Sequence, residues 1–572
     1  MGLEQMGLEQ FEVVAVLAVL IIVGASYFSS RFGLATPIIL VIVGLAVSVI
    51  PGMPLIAPEP ELILAAVLPP LLYSAAVNMP VMDFRRDLST IGALSVVLVL
   101  VSAFGVGALL WAIFPDLGFA AAVAVGAVVS PPDAVAATAI GKRLGLPPRL
   151  LTILEGEGLV NDATALVLLR TAVAATAGAF SFWHAAGDFF YAVVVAIVIG
   201  AAVGFIAVRI RSKIDQPVLT TAISFVVPFI AFLPTELAHA SGVLAVVAAG
   251  LVTGASGVRR LSVADRNAER TNWLTVQLLL ENGVFLLMGL QLRTLVTDVS
   301  DGGLSVWHAV WVGLAVTVLL GLVRVAFVVP VVFTARRRRP DHEEQARRFD
   351  EALERVSRDE RFQQHPRGAR IERWLQRRRA DARFYAGNGL GWRGGAVLAW
   401  SGMRGVVTLA AAQSLPTDFP YRTQLVLVAF VVALVTLVGQ GGTLPLLIRV
   451  LGIRGTDEEQ ARRELALLLV EVNEAAAGQV LDNPDLRRRG GERFDDSVIE
   501  KARMVLSRIS DPQARAAAGD PVKQQYPELM QLFLDAQQDA LDEARSTGSY
   551  DSHTIKRAQK QLDQGSVRLS GA

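Results

Sequence analysis

Apolar residues in this chain fall into long runs, and the polar residues collect in the short segments between them. Thirteen runs are long enough, at roughly 17–25 residues, to cross a bilayer. They lie near 11–29, 34–50, 60–78, 89–114, 119–140, 150–177, 187–208, 216–234, 236–254, 272–292, 304–334, 394–414 and 423–448. Leu233-Pro234-Thr235-Glu236 divides the pair at 216–254. Two segments break the pattern. Residues 335–392 are dense in Arg and Glu and predict a solvated charged helix, with a polybasic start able to meet anionic headgroups. From about residue 455 onward, "GTDEEQARRELALLLVEV" and "PELMQLFLDAQQDALDEA" repeat apolar residues at helical spacing. Thr456 and Glu459 have capping-box spacing ahead of the first of these runs. The expected organisation is therefore an all-α polytopic membrane domain over 1–454, carrying the 335–392 insertion, and a helical domain over 455–572.

Charge placement orients the spans. Arg31, Arg85-Arg86, Lys142-Arg143, Arg209-Arg211-Lys213, Arg259-Arg260 and Arg336–Arg339 all fall in alternate loops. The intervening loops hold only Arg293 and Arg422 as basic residues. Basic loops are retained on the cytoplasmic side, so the chain is expected in the cell membrane with its N-terminus outside and its C-terminus in the cytoplasm. Composition agrees: 53% of residues are hydrophobic and 18% charged, against roughly 25% charged in soluble domains. A formal net charge of +1 gives no reason to expect a nucleic-acid partner. Cysteine is absent, which removes disulfides, thiolate metal sites and cysteine nucleophiles.

Asp133, Glu155, Glu157, Asp162, Glu281, Arg324 and Arg404 are charged residues inside the apolar runs. Such groups are costly in a membrane, face the protein interior or water, and usually pair. Two have a special backbone context. "SPPDAVA" puts Pro131 and Pro132 in mid-span ahead of Asp133, where proline breaks a helix. "SGMRG" surrounds Arg404 with Gly402 and Gly405. A pair of interrupted spans, one in each half of a chain, points to a midplane ion site. Asp133 and Arg404 are then expected to compensate the like helix ends that meet at the crossing.

The stretch "ILEGEGLVNDATALVLLR" (153–170) carries three more of these carboxylates, Glu155, Glu157 and Asp162. On a helix Gly158 and Asp162 share one face, and Glu157 and Asn161 the next. Asp162 can then point at the broken spans, where unwound carbonyls would complete the oxygen ligands of a hard cation such as Na+. Competition of a cation and a proton for one carboxylate is the minimal chemistry of an exchanger. Two rivals are weaker. An intramembrane aspartyl hydrolase would use Asp133 and Asp162, but its GxGD motif is missing. A cation channel without proton coupling would need a filter sequence, and none is evident. Arg170 and His239 read as structural, and Trp183, Trp307 and Trp311 as interfacial anchors.

The motif "EGEGLVNDATALVLL" resembles the signature of the monovalent cation/proton antiporter family, the Na+/H+ exchangers of the NhaP and mammalian type. "LPPLLYSAAVNMP" (68–80), "SPPDAVA", "ENGVFLLMGLQL" (281–292) and "SGMRGVVTLAAA" resemble further motifs of that family in the expected order. The resemblance implies thirteen helices with two inverted repeats and a homodimer. It implies that Asp162 binds the ion and the proton, with Asn161, Asp133 and Pro132 around it. It also implies a buried Glu157–Arg324 pair, Arg404 in the second break, and an open role for Glu281. No cofactor is implied beyond the transported ions, most simply Na+ and H+, with K+/H+ exchange as the alternative. The Asn-Asp pair implies electroneutral one-for-one exchange. Two positions depart from the family pattern: Gly158 replaces a serine, and Tyr73-Ser74 replaces an acidic residue, which leaves Ser74 as a substitute ligand. The tail could hold a regulatory ligand or partner.

Overall fold

The computed structural model describes residues 8–570, apart from 33–34, 51–58, 177–181, 303, 338, 359–367, 388–389, 454–457, 489 and 508–519. The proposed cap at Thr456 lies outside the described residues. The chain divides into two compact units, residues 1–337 with 390–455 and residues 338–389 with 456–572.

The membrane unit opens with α1 (Leu8–Phe32), α2 (Thr36–Ser48), α3 (Pro60–Asn78) and α4 (Leu88–Ile113). A split span follows as α5 (Phe119–Val129) and α6 (Ala134–Arg143), then the long α7 (Pro148–Thr176). Next come α8 (Phe182–Arg211), α9 (Pro217–Leu237), α10 (Gly242–Arg260), α11 (Val263–Leu290), α12 (Leu292–Asp301) and α13 (Val306–Arg337). Two helices of the other unit, α14 (Arg339–Arg358) and α15 (Gly368–Gly387), interrupt the series. The second split span is α16 (Trp392–Trp400) and α17 (Val406–Gln413), and α18 (Arg422–Leu451) closes the unit. The remaining helices are α19 (Glu458–Ala476), α20 (Asp496–Ser507), α21 (Asp520–Thr547) and α22 (Ser552–Ser570).

The protein is an all-helical membrane protein. Eleven helical segments among the described residues are long and apolar enough to span a bilayer. Two of the thirteen expected runs fall outside that number. At about 1.5 Å per residue, the 13 residues of α2 reach about 20 Å, short of a hydrocarbon core of about 30 Å. The run at 394–414 is interrupted between α16 and α17. The division at 233–236 shifts slightly: α9 runs through Pro234 to Leu237, and the turn follows at residues 238–241 with His239 at φ 54°. Leu292–Asp301, read from sequence as loop, is a helix that buries Leu295 and Val299.

Helix contacts in the membrane unit rely on small residues, as expected where lipid tails are as apolar as the side chains. Gly204 of α8 leaves no room for a methyl against Ala249 of α10, where a Cβ would come within 2.6 Å of the Ala249 carbonyl. Gly44 of α2 sits on Gly289 of α11 in the same way. Large apolar side chains point outward, among them Leu20, Val198, Leu322 and Phe333, which a lipid environment covers.

In the second unit α14 and α15 pack on each other. His342 stacks on Tyr385 and Asp350 pairs with Arg383 at 2.8 Å. Arg377 Nε of α15 donates to the Ser546 carbonyl of α21 at 2.7 Å. The insertion is thus not a single solvated helix but a hairpin grouped with the tail. The tail has its own core, including Val480, Phe494, Val498, Leu529 and Phe533.

Candidate functional site

The two interrupted spans meet. Pro131 and Pro132 offer no N–H and disfavour helical φ/ψ before them, so α5 stops at Val129 and α6 restarts at Ala134. The Asp133 N–H donates to the carbonyl of Met403 at 2.6 Å, which ties the first break to the second. Asp133 Oδ1 accepts from Val135 N at 2.8 Å and caps α6. Its other carboxylate oxygen lies against Gly405, the N-cap of α17, where a Cβ would collide with it. One carboxylate therefore faces the positive ends of two half-helices. Arg404 answers at the opposite sign. Its Nε donates to Val129 O at 3.1 Å and its Nη2 to Ser130 O at 3.3 Å, covering the carbonyl end of α5, while Nη1 reaches Gly402 O. The Arg404 N–H donates to Thr436 Oγ1 at 2.9 Å, and Thr436 opens a π-turn within α18. Sequence reasoning missed Thr436, because a hydroxyl in an apolar run carries no charge to mark it.

Asn161 and Asp162 of α7 face this crossing differently. Asn161 is fully buried and its Nδ2 donates to the Pro132 carbonyl at 2.6 Å, while its Oδ1 has no partner among the described residues. Asp162 is only partly buried, and no hydrogen bond or ion pair holds its carboxylate among the described residues. It opens on a small cavity lined also by Pro131, Ala165, Leu166, Val407 and Ala411. Pro131 brings the first break to that cavity and Val407 the second. Gly158, one turn earlier, rests on α6: a Cβ there would stand 2.8 Å from Ala134 Cβ.

Glu157 turns the other way. Arg324 Nη1 and Nη2 donate to its two oxygens at 2.6 and 2.8 Å, and Arg324 Nε donates to Leu398 O at 2.9 Å. Both side chains are almost wholly buried, at 3% and 2% exposure. The pair joins α7, α13 and α16. Ser74 is not brought into contact with Asp162. Its hydroxyl donates to Gln277 Oε1 at 3.2 Å, and Gln277 Nε2 donates to Glu281 Oε2 at 3.1 Å. Glu281 thus takes its hydrogen bond from Gln277, one turn earlier on α11. Glu155 pairs with Lys142 at 2.6 Å, and Arg170 with Glu236 at 2.6 Å.

Three comparisons bear on this geometry. The family model described as sodium/hydrogen exchanger, transmembrane, matches residues 16–450. An uncharacterized Na(+)/H(+) exchanger of Mycobacterium bovis is 27% identical over 97% of this chain and 96% of its own. A sodium, potassium, lithium and rubidium/H(+) antiporter of Bacillus pumilus is 27% identical over 76% of this chain and 61% of its own. The solved structure of the sodium proton antiporter MjNhaP1 of Methanocaldococcus jannaschii covers 78% of this chain and 100% of its own, with a TM-score of 0.55 at 15% identity. That likeness is one of fold.

Proposed function

The chain belongs to the sodium/hydrogen exchanger family, whose members are membrane transporters and not enzymes, and we propose that Asp162 is the group its two cargoes share. Cation/proton exchange follows from the family; the cation, the stoichiometry and the route are this reading. The observation that carries it is the Asp162 carboxylate, unpaired and open to a cavity that both helix breaks reach. A carboxylate held by no arginine or lysine can be neutralised by a proton or by a cation, and by one at a time. Exchange is then one for one and electroneutral. Beside it, Asn161 Oδ1 is an oxygen with no partner among the described residues, available to a cation. Asn161 Nδ2 keeps the Pro132 carbonyl occupied and the unwound segment in place. Asp133 and Arg404 neutralise the half-helix ends and so leave the total charge of the crossing to the cargo.

In this reading thirteen spans form two inverted repeats in a homodimer. The protein sits in the cell membrane with its N-terminus outside and its C-terminus in the cytoplasm. The site is exposed to each side in turn by alternating access. Na+ is the simplest cargo. K+ is the second reading, favoured by two features: Gly158 brings no hydroxyl, and Ser74 Oγ is spent on Gln277. A site with fewer oxygen ligands suits a cation that surrenders its water more easily. The broad ion range in the name of the Bacillus pumilus relative points the same way.

The test is cation-dependent proton movement in proteoliposomes, with Na+, K+ and Li+ added in turn to wild type and to Asp162→Asn. Proton efflux driven by one cation and lost in the variant is expected. Cation flux without proton movement would place the protein among channels. Transport that changes with an imposed membrane potential would exclude the one-for-one stoichiometry.

A further inference from the structure

The hairpin α14–α15 is tied at both ends to membrane spans. In the chain it follows α13 and precedes α16, which opens at Trp392. Helix α15 carries six arginines, at 370, 373, 377, 378, 379 and 383, against Glu372 and Asp381. Leu375, Ala380 and Ala382 are buried, and Arg379 and Arg383 pair with Asp350 at 3.6 and 2.8 Å. The outward face is different, although one edge of the Trp374 ring meets Phe349 of α14 with centroids 6.3 Å apart. Ile371 is 38% exposed and Trp374 52% exposed, and at helical spacing they sit among exposed Arg370, Arg377 and Arg378. None of these three arginines pairs with an acid among the described residues. Two carboxylates border this face: Glu372 accepts from Gln376 at 3.4 Å, and the half-buried Asp381 stands on the same stripe, seven residues after Trp374.

An apolar ring and an apolar side chain framed by unpaired arginines make the pattern of a helix lying in a headgroup layer. The membrane unit repeats a part of it. Arg260 stands over Phe205 at 5.1 Å, Arg337 over Phe333 at 4.3 Å and Arg393 over Trp392 at 5.7 Å, each at the basic end of a span. Arg378 over Trp374 at 5.6 Å is the same arrangement on α15.

We propose that the outward face of α15 lies on an anionic phospholipid surface, with Ile371 and Trp374 in the headgroup layer and Arg370, Arg377 and Arg378 on its phosphates. Since Arg377 Nε also holds the Ser546 carbonyl of α21, the charge of the lipid would bear directly on the tail.

The absence of native cysteine makes a clean test possible in the full chain. Ile371→Cys, labelled with an environment-sensitive fluorophore, is placed in nanodiscs of phosphatidylcholine or of phosphatidylcholine with phosphatidylglycerol. The expected result is a blue shift and a gain of intensity only in the anionic discs, reversed by high salt. Arg370→Gln, Arg377→Gln and Arg378→Gln together should abolish the shift and leave transport intact, while the three Lys replacements should retain it. Equal emission in both kinds of disc would overturn the proposal. So would an emission in the anionic discs that a lipid-borne quencher leaves unchanged, because the face would then be covered by protein.

Discussion

Glu157 and Arg324 each carry into the membrane interior a charge that neither could hold there alone. Their bidentate contact at 2.6 and 2.8 Å satisfies both groups, and Leu398 O takes the remaining Nε donor. Removing one partner strands the other, at about 3–5 kcal/mol. Glu157→Gln should therefore lower the melting temperature of the detergent-purified protein sharply. Glu157→Leu with Arg324→Met should lower it less, because only the Leu398 carbonyl is then left short of a donor. A double variant less stable than Glu157→Gln would show that the pair is not what holds these helices. The charged residues of the crossing could be read in the sequence because a charge in an apolar run is conspicuous. Thr436 and Gln277 could not, since neutral polar residues occur throughout such runs and only packing shows which ones bond.

The broken spans work as elements because the carbonyl end of α5 and the N-terminus of α17 each meet a group of the opposite sign from the other broken span. Proline and glycine made the breaks legible, and the length of the apolar runs located most helix ends to within a few residues. The register between elements was not legible. Gly158 reads in sequence as a missing ligand; in the structure it is the point where α7 touches α6, with Ala134 Cβ 2.8 Å from any added Cβ. Gly158→Ser is thus expected to impair transport by pushing α6 away, whatever oxygen it adds. Ala134→Gly in the same chain removes the obstructing methyl and should restore transport, measured as cation-driven proton flux. Failure of that rescue would return Gly158 to the role of a ligand position. Leu292–Asp301 escaped the sequence reading because its apolar positions, Leu295 and Val299, are few and its other residues are polar enough for a loop.

At the scale of the molecule, residues 338–389 and 456–572 form one unit although a pair of spans separates them in the chain. Hydropathy could mark both segments as non-membrane, but nothing in their composition shows that they meet. The contact of Arg377 with Ser546 lies 169 residues apart in sequence. Deleting residues 456–572 should leave the insertion hairpin without that support. Limited proteolysis of the truncated protein is expected to cut within 338–389 much faster than in the full chain, with the membrane unit unchanged. Equal cleavage rates would mean that the hairpin stands by itself.

The capping of α5 by Arg404 also sets an order of events during synthesis. The carbonyls of Val129 and Ser130 precede the guanidinium that covers them by 275 and 274 residues. At roughly 5–20 residues per second, that is an interval of about 15–55 s. Through it the first half of the chain holds an uncovered helix end within the membrane. Arg404 for its part enters a span that could not insert cheaply by itself. The nascent first half is thus the form of this protein most open to quality-control proteases, and the arrival of the second half ends that exposure.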